Sequence, residues 1–498
     1  MLHQEREIKI KNSIFESSHA LLQIISTSLG PKGLDKMLIR DNKTTVTNDG
    51  STILKFFIEH PIHKILSNVS NTQDEECGDG TTSVVVLICS LLDNLRDLLD
   101  SIHPSIICDH LEMVKNIALD YIEWAKVPIS KENIFNSVVT SLNSKIANSS
   151  LEMAEASIKA MDLVKSKKED IKIIKKVGGI VDDIKVYEGI LYDIQENDMV
   201  WNNLGSGNLN SINTPTLNIK CLCIQFCLSP PKTSMDSKIL IDKPELMEKV
   251  LLDERKYILD LCKKIKRTGC GLLLIQKSIL RDSLSDLAKH FLKQMNILPL
   301  IIERKEIEFL SKKLNIKPIS DIELIKDSKE IEIQKVDNFL LLKSPSSCTV
   351  LLRGCDDLVL DEADRSFNDA LSVVNCLKNE PFLVPGGGSI EMGISLKIKE
   401  CKEGILLVMR KISKAFEGVP YFLSKNAGLN SIETLSELKN KIQSHPSYGV
   451  SVRGPKISDM LESDNVVQPS KIAKSIVSLA IETVIYILKI DDILPSRK

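Results

Sequence analysis

The run Cys77-Gly78-Asp79-Gly80-Thr81-Thr82-Ser83 carries the residue types needed to hold a phosphate. Glycines, a carboxylate and hydroxyls stand directly before an apolar pattern. Val84, Leu87, Ile88, Leu91, Leu92, Leu95, Leu98 and Leu99 recur at the spacing of one buried helical face, which predicts an amphipathic helix over 84–102. The start of a helix offers unpaired backbone N–H groups and the positive end of its dipole, both favourable to an anion. Glycine lets the backbone come close to that anion. A carboxylate repels a bare phosphate, so Asp79 implies a bridging cation, most simply Mg²⁺. The chain has no Walker A pattern of G-x-x-x-x-G-K followed by Ser or Thr, so this is a phosphate loop of another kind. An Asp-Gly turn with a threonine N-cap would use the same residues, and that reading stays open here.

Three further glycine turns could complete such a site. They are Ser28-Leu29-Gly30-Pro31-Lys32-Gly33, Thr47-Asn48-Asp49-Gly50-Ser51-Thr52-Ile53-Leu54 and Pro385-Gly386-Gly387-Gly388. Each of the first two is explained alone as a hairpin or loop. Consecutive glycines cost conformational entropy, so the last turn implies a close approach that needs them.

The elements that must position these turns read as an α+β multidomain chain. Helical periodicity covers 12–30, 84–102 and 107–124, then a block over 389–441 and a last helix over about 470–488. The centre alternates. Cys270–Ile275 reads as a buried strand, 282–295 as a helix with Asp282 near its start, and Ile297–Ile302 as the next strand, a βα unit of an α/β layer. After the break at Ser229-Pro230-Pro231, Asp242 and Glu245 open a helix with Leu246, Met247, Val250, Leu251, Ile258, Leu261, Cys262 and Ile265 at helical spacing. Lys263, Lys264, Lys266 and Arg267 close it before Gly269, matching the dipole at each end.

Composition bounds the function. At 498 residues the chain has room for about three domains. Lys and Arg number 65 against 67 Asp and Glu, so neither nucleic acid nor an anionic membrane is expected as a partner. The segment Met1–Glu7 has no apolar signal core, and Asp93, Arg96, Glu482 and Lys489 break the longest apolar runs. The 12 cysteines form no C-x-x-C pair or His/Cys cluster, so buried thiols in a reducing, cytoplasmic setting are expected, Cys221, Cys223 and Cys227 among them.

Taken in order, S-L-G-P-K-G, N-D-G-x-T-I-L, G-D-G-T-T-S and G-G-G resemble the group II chaperonins, over about Ile8 to Asp492. Thr140–Lys145, Asp170–Gly179, Ile224–Ser229, Lys266–Cys270 and Leu274–Asp282 are closest to one subunit type of the eukaryotic cytosolic branch, TRiC/CCT. The resemblance implies a mostly helical equatorial ATP-binding domain over 1–128 and 379–498. It implies a small intermediate hinge domain over 129–186 and 346–378, and an α/β apical domain over 187–345 whose helical protrusion serves as a built-in lid. The cofactors implied are ATP and Mg²⁺. The partners implied are paralogous subunits in a double-ring hetero-oligomer and non-native client polypeptides.

By the same resemblance, Asp79 is the Mg²⁺ ligand, Asp49 a second carboxylate beside the attacking water, and Asp369 the hinge-domain group that orients or activates that water. Leu29, Gly30, Pro31, Gly50, Gly80, Thr81, Thr82, Ser83 and Gly387 match nucleotide contacts, and Lys145 matches a γ-phosphate sensor. From sequence alone Asp369 reads most easily as a solvated residue paired with Arg365, and Lys145 equally as a surface lysine. Pro385, Ser51 and Gln468 depart from the family pattern, Gln468 standing where many members carry an acidic ribose ligand. Terminal segments 7–11 and 487–494 read as edge strands that join neighbouring subunits. A nucleotide-binding ring subunit with little hydrolysis is the alternative. A phosphotransferase is a further one, disfavoured by the absence of H-R-D and D-F-G motifs.

Overall fold

The computed structural model describes residues 2–40, 43–57, 60–145, 150–164, 168–193, 217–230, 244–279, 281–325, 328–336, 339–401, 403–454 and 456–493. The fold is the mixed α+β one expected, with a helical core and a separate mixed sheet. Helix Thr81–Leu95 is the centre of the helical part. Its middle is buried on every side, with Val84, Val85, Val86, Leu87, Ile88 and Cys89 all at 0 % exposure. The amphipathic expectation is therefore corrected. Helices Leu2–Ile25, Leu406–Phe416 and Ser470–Leu488 pack around it, so from Val84 to Leu92 no face is left for water, and only its ends, Asp93 among them, reach solvent.

The centre of the chain forms a six-stranded sheet in the order Ile190–Asp193, Phe339–Leu342, Lys329–Val336, Leu217–Ile224, Leu272–Gln276, Leu298–Ile302. The last three strands run parallel, Cys221 facing Leu272 and Leu272 facing Leu298, and the others pair antiparallel. Their two-residue alternation sorts two cores. Leu222, Ile224, Leu273 and Ile275 pack with Ile258, Leu261, Cys262 and Ile265 of helix Pro244–Arg267. Cys221, Cys223, Leu272 and Leu274 pack with Ile307, Leu310 and Leu314 of helix Arg304–Leu314 on the other face. Cys221 and Cys223 are thus buried thiols as expected, whereas Cys227 is half-buried and Cys355 exposed.

A three-stranded sheet, Ile171–Val177 parallel to Cys348–Gly354 and Lys185–Glu188 antiparallel to it, lies beside helices Lys131–Asn143, Ser150–Val164 and Asp357–Asn379. Another, Val467–Pro469 with Phe382–Pro385 and Val127–Pro128, carries the triple-glycine turn.

Three local expectations change. Residues 7–11 are helical, inside Leu2–Ile25, because an alternating Glu/Lys/Ile run without a strand to pair with is free to follow its helix-forming residues. Ser470–Leu488 is the last helix as read, but it includes Ile487 and Leu488, and no strand follows through residue 493. The helix read from 282 starts at Asp286, because the Ser285 hydroxyl caps it by accepting from Ala288 N. Among the described residues, no helix is long and apolar enough to cross a membrane.

Candidate functional site

Helix Pro61–Cys77 ends on Gly78 at φ 70°, and helix Thr81–Leu95 begins after Gly80 at φ 81°. Two left-handed glycines therefore bracket Asp79 and turn the chain back sharply. Gln73 Nε2 donates to the Asp79 carbonyl at 2.8 Å, and Gly80 N donates to Asp79 Oδ1 at 2.8 Å. Neither glycine has room for a side chain. A Cβ on Gly78 would lie 2.3 Å from Ser372 Cβ, and one on Gly80 2.7 Å from Ile476 Cδ1.

No side chain caps the Thr81–Leu95 helix. The Thr81 hydroxyl donates instead to Asp49 Oδ1 at 3.0 Å. This excludes a threonine N-cap, which would spend that hydroxyl on the helix's own backbone. Among the described residues, the first-turn N–H groups have no side-chain cap.

Asp49 caps the short helix Gly50–Leu54. Its Oδ2 accepts from Ser51 Oγ at 2.6 Å, Thr52 Oγ1 at 2.8 Å and Thr52 N at 3.0 Å. Gly50 must be glycine because a Cβ there would meet Thr82 Oγ1 at 2.8 Å, so the Asp49 and Asp79 loops are in direct contact. Burial raises the Asp49 pKa, but Lys145 and the bonds from Ser51 and Thr52 overcome it and hold the carboxyl at about 2.

Lys145 follows helix Lys131–Asn143 and pairs with Asp369 on helix Asp357–Asn379. Both side chains are nearly closed off from solvent. Arg365 pairs with Glu362 instead, at 2.6 Å, so the solvated Asp369–Arg365 pair is overturned. Packing against the Gly78 turn puts Asp369 inside, since a Cβ on Gly78 would lie 3.6 Å from its Cα. Burial lifts the Asp369 carboxyl to about 7, against the pull of Lys145 and with the push of Asp49. Burial opposes the Lys145 ammonium, yet Asp369, Asp49 and Asp79 together raise its pKa above the ordinary lysine value.

Two residues escaped the sequence reading. Asp74 Oδ2 lies 3.2 Å from Ser51 Oγ, so this serine hydroxyl sits between two carboxylates. Burial and Asp49 raise the Asp74 pKa. Its signal was one helical turn before Gly78, which puts it on the loop's side of the helix. Asn48 is buried and donates to the Ser144 carbonyl at 2.9 Å, tying the Asp49 loop to the Lys145 segment, while its Oδ1 is an unpaired acceptor.

The other predicted contacts lie on separate turns. Leu29 and Gly30, at φ 85°, are fixed by Asn426 Nδ2, which donates to the Ser26 and Leu29 carbonyls at 2.8 Å each. Pro31 is exposed on the same turn. Gly387, at φ 65°, accepts from Val450 N at 2.9 Å, and Gln468 pairs across strands with Val384. Among the described residues, no hydrogen bond runs from Leu29–Pro31, Gly387 or Gln468 to the carboxylate cluster. Thr82 and Ser83 are half-buried on the first turn of helix Thr81–Leu95.

The donor set fits Mg²⁺ carried with a nucleotide. Among the described residues, no group of three or more His, Cys, Asp or Glu side chains forms a metal cage. One carboxylate completed by phosphate oxygens and water is the usual way this ion is held. Asp49, Asp79 and Asp369 also outnumber the one lysine among them, an acidic excess that a cation offsets.

Comparison with known proteins supplies the context. The TCP-1/cpn60 chaperonin family matches residues 21–498. A "T-complex protein 1 subunit delta" from Encephalitozoon cuniculi is 52 % identical over 498 residues, covering 99 % of both chains. Proteins with the same name from Homo sapiens, 39 % identical, and Arabidopsis thaliana, 38 % identical, cover 99 % of this chain and 95 % and 96 % of theirs. The single subunit type indicated by residues such as 274–282 agrees with these names.

Proposed function

The chain belongs to the TCP-1/cpn60 chaperonin family, and from that premise we propose that it is an ATP-hydrolysing subunit of a cytoplasmic chaperonin that encloses non-native polypeptides. It is a chaperonin subunit, and its partners are paralogous subunits in a double ring. Residues 1–128 with 379–498 form the ATP-binding domain, 129–186 with 346–378 the hinge, and 187–345 the apical domain.

The observation that carries hydrolysis is the contrast between two neighbouring carboxyls. Asp49 is held at about 2 and saturated by donors, so it stays ionised and fixes geometry. Asp369 lies near 7, where a carboxylate can accept a proton from water at working pH. Asp79 would hold Mg²⁺, which supplies charge neutralisation on the phosphates when bound. The uncapped N–H groups of Thr81–Ser83 and the turns at Gly30, Gly50, Gly80 and Gly387 receive the nucleotide, with Leu29 and Pro31 on its flank and Gln468 toward the ribose. Lys145 holds Asp369 in place and adds positive charge at the γ-phosphate. Asn48 Oδ1 offers an acceptor to a water beside Asp49. Phosphoryl transfer asks mainly for such positioning.

The test is nucleotide binding and hydrolysis by the Asp79→Ala and Asp369→Ala forms. Asp79→Ala should weaken Mg·ATP binding, and Asp369→Ala should spare binding but slow hydrolysis. Equal loss of affinity in both rejects these roles. Tight binding without turnover in the unaltered chain would favour the scaffold alternative.

A further inference from the structure

We propose that Lys168 is a positioning residue for the Asp369 helix, and that its segment transmits the position of helix Arg304–Leu314 to the phosphate loop. This rests on the ATP-hydrolysis reading above.

Asp369 and Ser372 lie one turn apart on one face of helix Asp357–Asn379, and that face packs on Gly78. Each is gripped by a lysine from a different segment. Lys145, just after helix Lys131–Asn143, holds Asp369. Lys168, shortly after helix Ser150–Val164, donates to Ser372 Oγ at 2.6 Å. Ser372 spends its own proton on the Asn368 carbonyl at 2.9 Å, so it is oriented to accept from Lys168. A Cβ on Gly78 would fall 2.6 Å from Ser372 Oγ, which makes this hydroxyl the contact between the helix and the loop. Fixing Ser372 fixes how the Asp369 face sits on Gly78-Asp79.

The residues that alternate with Lys168 point elsewhere. Asp170 Oδ1 pairs with Lys313 at 2.5 Å, and both side chains are more than four-fifths enclosed. Lys172 pairs with Glu306 at 2.7 Å and lies 4.1 Å from the centre of the Tyr192 ring. Lys313 and Glu306 are both on helix Arg304–Leu314. One short run, 168–172, therefore holds the phosphate-loop contact at one end and two ion pairs to that helix at the other. The enclosed Asp170–Lys313 pair keeps its geometry better than an exposed one. A displacement of that helix must move the run or break the pairs.

The experiment uses the full chain and measures ATP affinity and turnover together. Lys168→Met should lower kcat about tenfold, the scale of a hydrogen bond from a charged donor, and leave ATP Kd within about twofold. Lys168→Arg should restore most of the turnover. Ser372→Ala should match Lys168→Met, and the double variant should be no worse than either. If Lys168→Met does not fold, Ser372→Ala, which removes one oxygen, decides the matter. Lys313→Met should slow turnover about threefold in the parent and not at all in Lys168→Met. Parental turnover in Lys168→Met, a Lys168→Arg form as slow as Lys168→Met, or losses that multiply would each overturn the proposal. An unaltered chain that hydrolyses no ATP sinks the ATP reading as well, whereas a working chain indifferent to Lys168 sinks this inference alone.

Discussion

The carboxylate centre and the helix Pro244–Arg267 solve opposite problems. At the centre most of the charge is answered within the chain: Lys145 pairs with Asp369, and Asp49 takes donors on both oxygens, which leaves the acidic excess for a bound cation. The helix is answered only along its second half, where Ile258, Leu261, Cys262 and Ile265 are buried against the sheet. In its first half Met247, Val250, Leu251 and Leu252 stand exposed, at 39–53 %. Both regions are amphipathic by composition. What separates them is whether the chain itself contains the partner. Unanswered charge inside a protein costs too much to persist, whereas an unanswered apolar face persists when another surface covers it in assembly.

The comparison breaks most sharply at Asp369. If the chain itself holds the centre's geometry, removing its proton acceptor should cost turnover and little else. Asp369→Ala should lower kcat by about 10²–10⁴-fold with Mg·ATP affinity retained, as for loss of a positioned general base. Rapid-quench hydrolysis and equilibrium binding on the same preparation measure both. A proportionate loss of affinity would make Asp369 a structural partner of Lys145 instead.

Stability separates the regions next. Ile88 is fully buried, so Ile88→Ala should cost about 2–5 kcal/mol through lost transfer energy and a residual cavity. Leu251 is half exposed, so Leu251→Ser should leave the stability of the isolated chain within about 0.5 kcal/mol. Chemical denaturation of the two variants provides the contrast. Equal destabilisation would mean that the exposed half of the helix packs on its own chain in solution.

Much of this was legible in the residues. Ser470–Leu488 is bounded as read because its apolar period runs from the end of strand Val467–Pro469 to Leu488. The α/β centre was legible because Leu272–Gln276 and Leu298–Ile302 are short apolar runs separated by a helical period. Asp79 is legible from its own glycine loop, and Asp49, Lys145 and Asp369 through a resemblance, and the structure draws the four into one cluster. What stayed hidden depends on contacts between distant segments. Nothing in Ser51 announces that its hydroxyl lies between Asp49 and Asp74. Nothing in Ser372 announces Lys168, because the pairing is set by how two helices cross. The 7–11 run failed for a related reason: alternation predicts a strand only where a neighbour is present to pair with it.

Acidity offers a finer test of the centre. Burial lifts Asp369 from an ordinary 3.8 to about 7, while Lys145 restrains it. As a base it must be ionised, so kcat/KM for ATP should fall about tenfold per unit as pH drops below about 7. Stability runs the other way. A carboxyl raised in the folded state is not penalised below its unfolded pKa, and the penalty grows as pH rises toward the folded value. Asp369→Asn should therefore gain stability relative to the parent between about pH 4 and pH 7, and no further above it. A flat difference in Tm across that window would mean that Asp369 is ionised throughout.

The smallest effect on the isolated chain is expected at the exposed half of the helix, and there the comparison is most informative. The segment expected to lead into it, including Lys232, Ser234, Met235, Asp236, Ser237, Lys238, Ile239, Leu240 and Ile241, lies outside the described residues. Its composition joins a polar stretch to apolar residues that a lone projection has nothing to bury against. The same holds for Met247, Leu251 and Leu252 on the described helix. If neighbouring subunits cover these residues when the ring closes, order here should follow the ring's nucleotide state. Deleting about 232–243 should leave ATP affinity within about twofold, because every phosphate-loop residue lies elsewhere. It should also abolish enclosure of a non-native client. Protease resistance of 229–262 in the assembled complex, with and without a transition-state mimic of ATP hydrolysis, reads the change directly. Equal resistance in both states would make this a fixed helix, and its exposed leucines would then need a partner that does not depend on nucleotide.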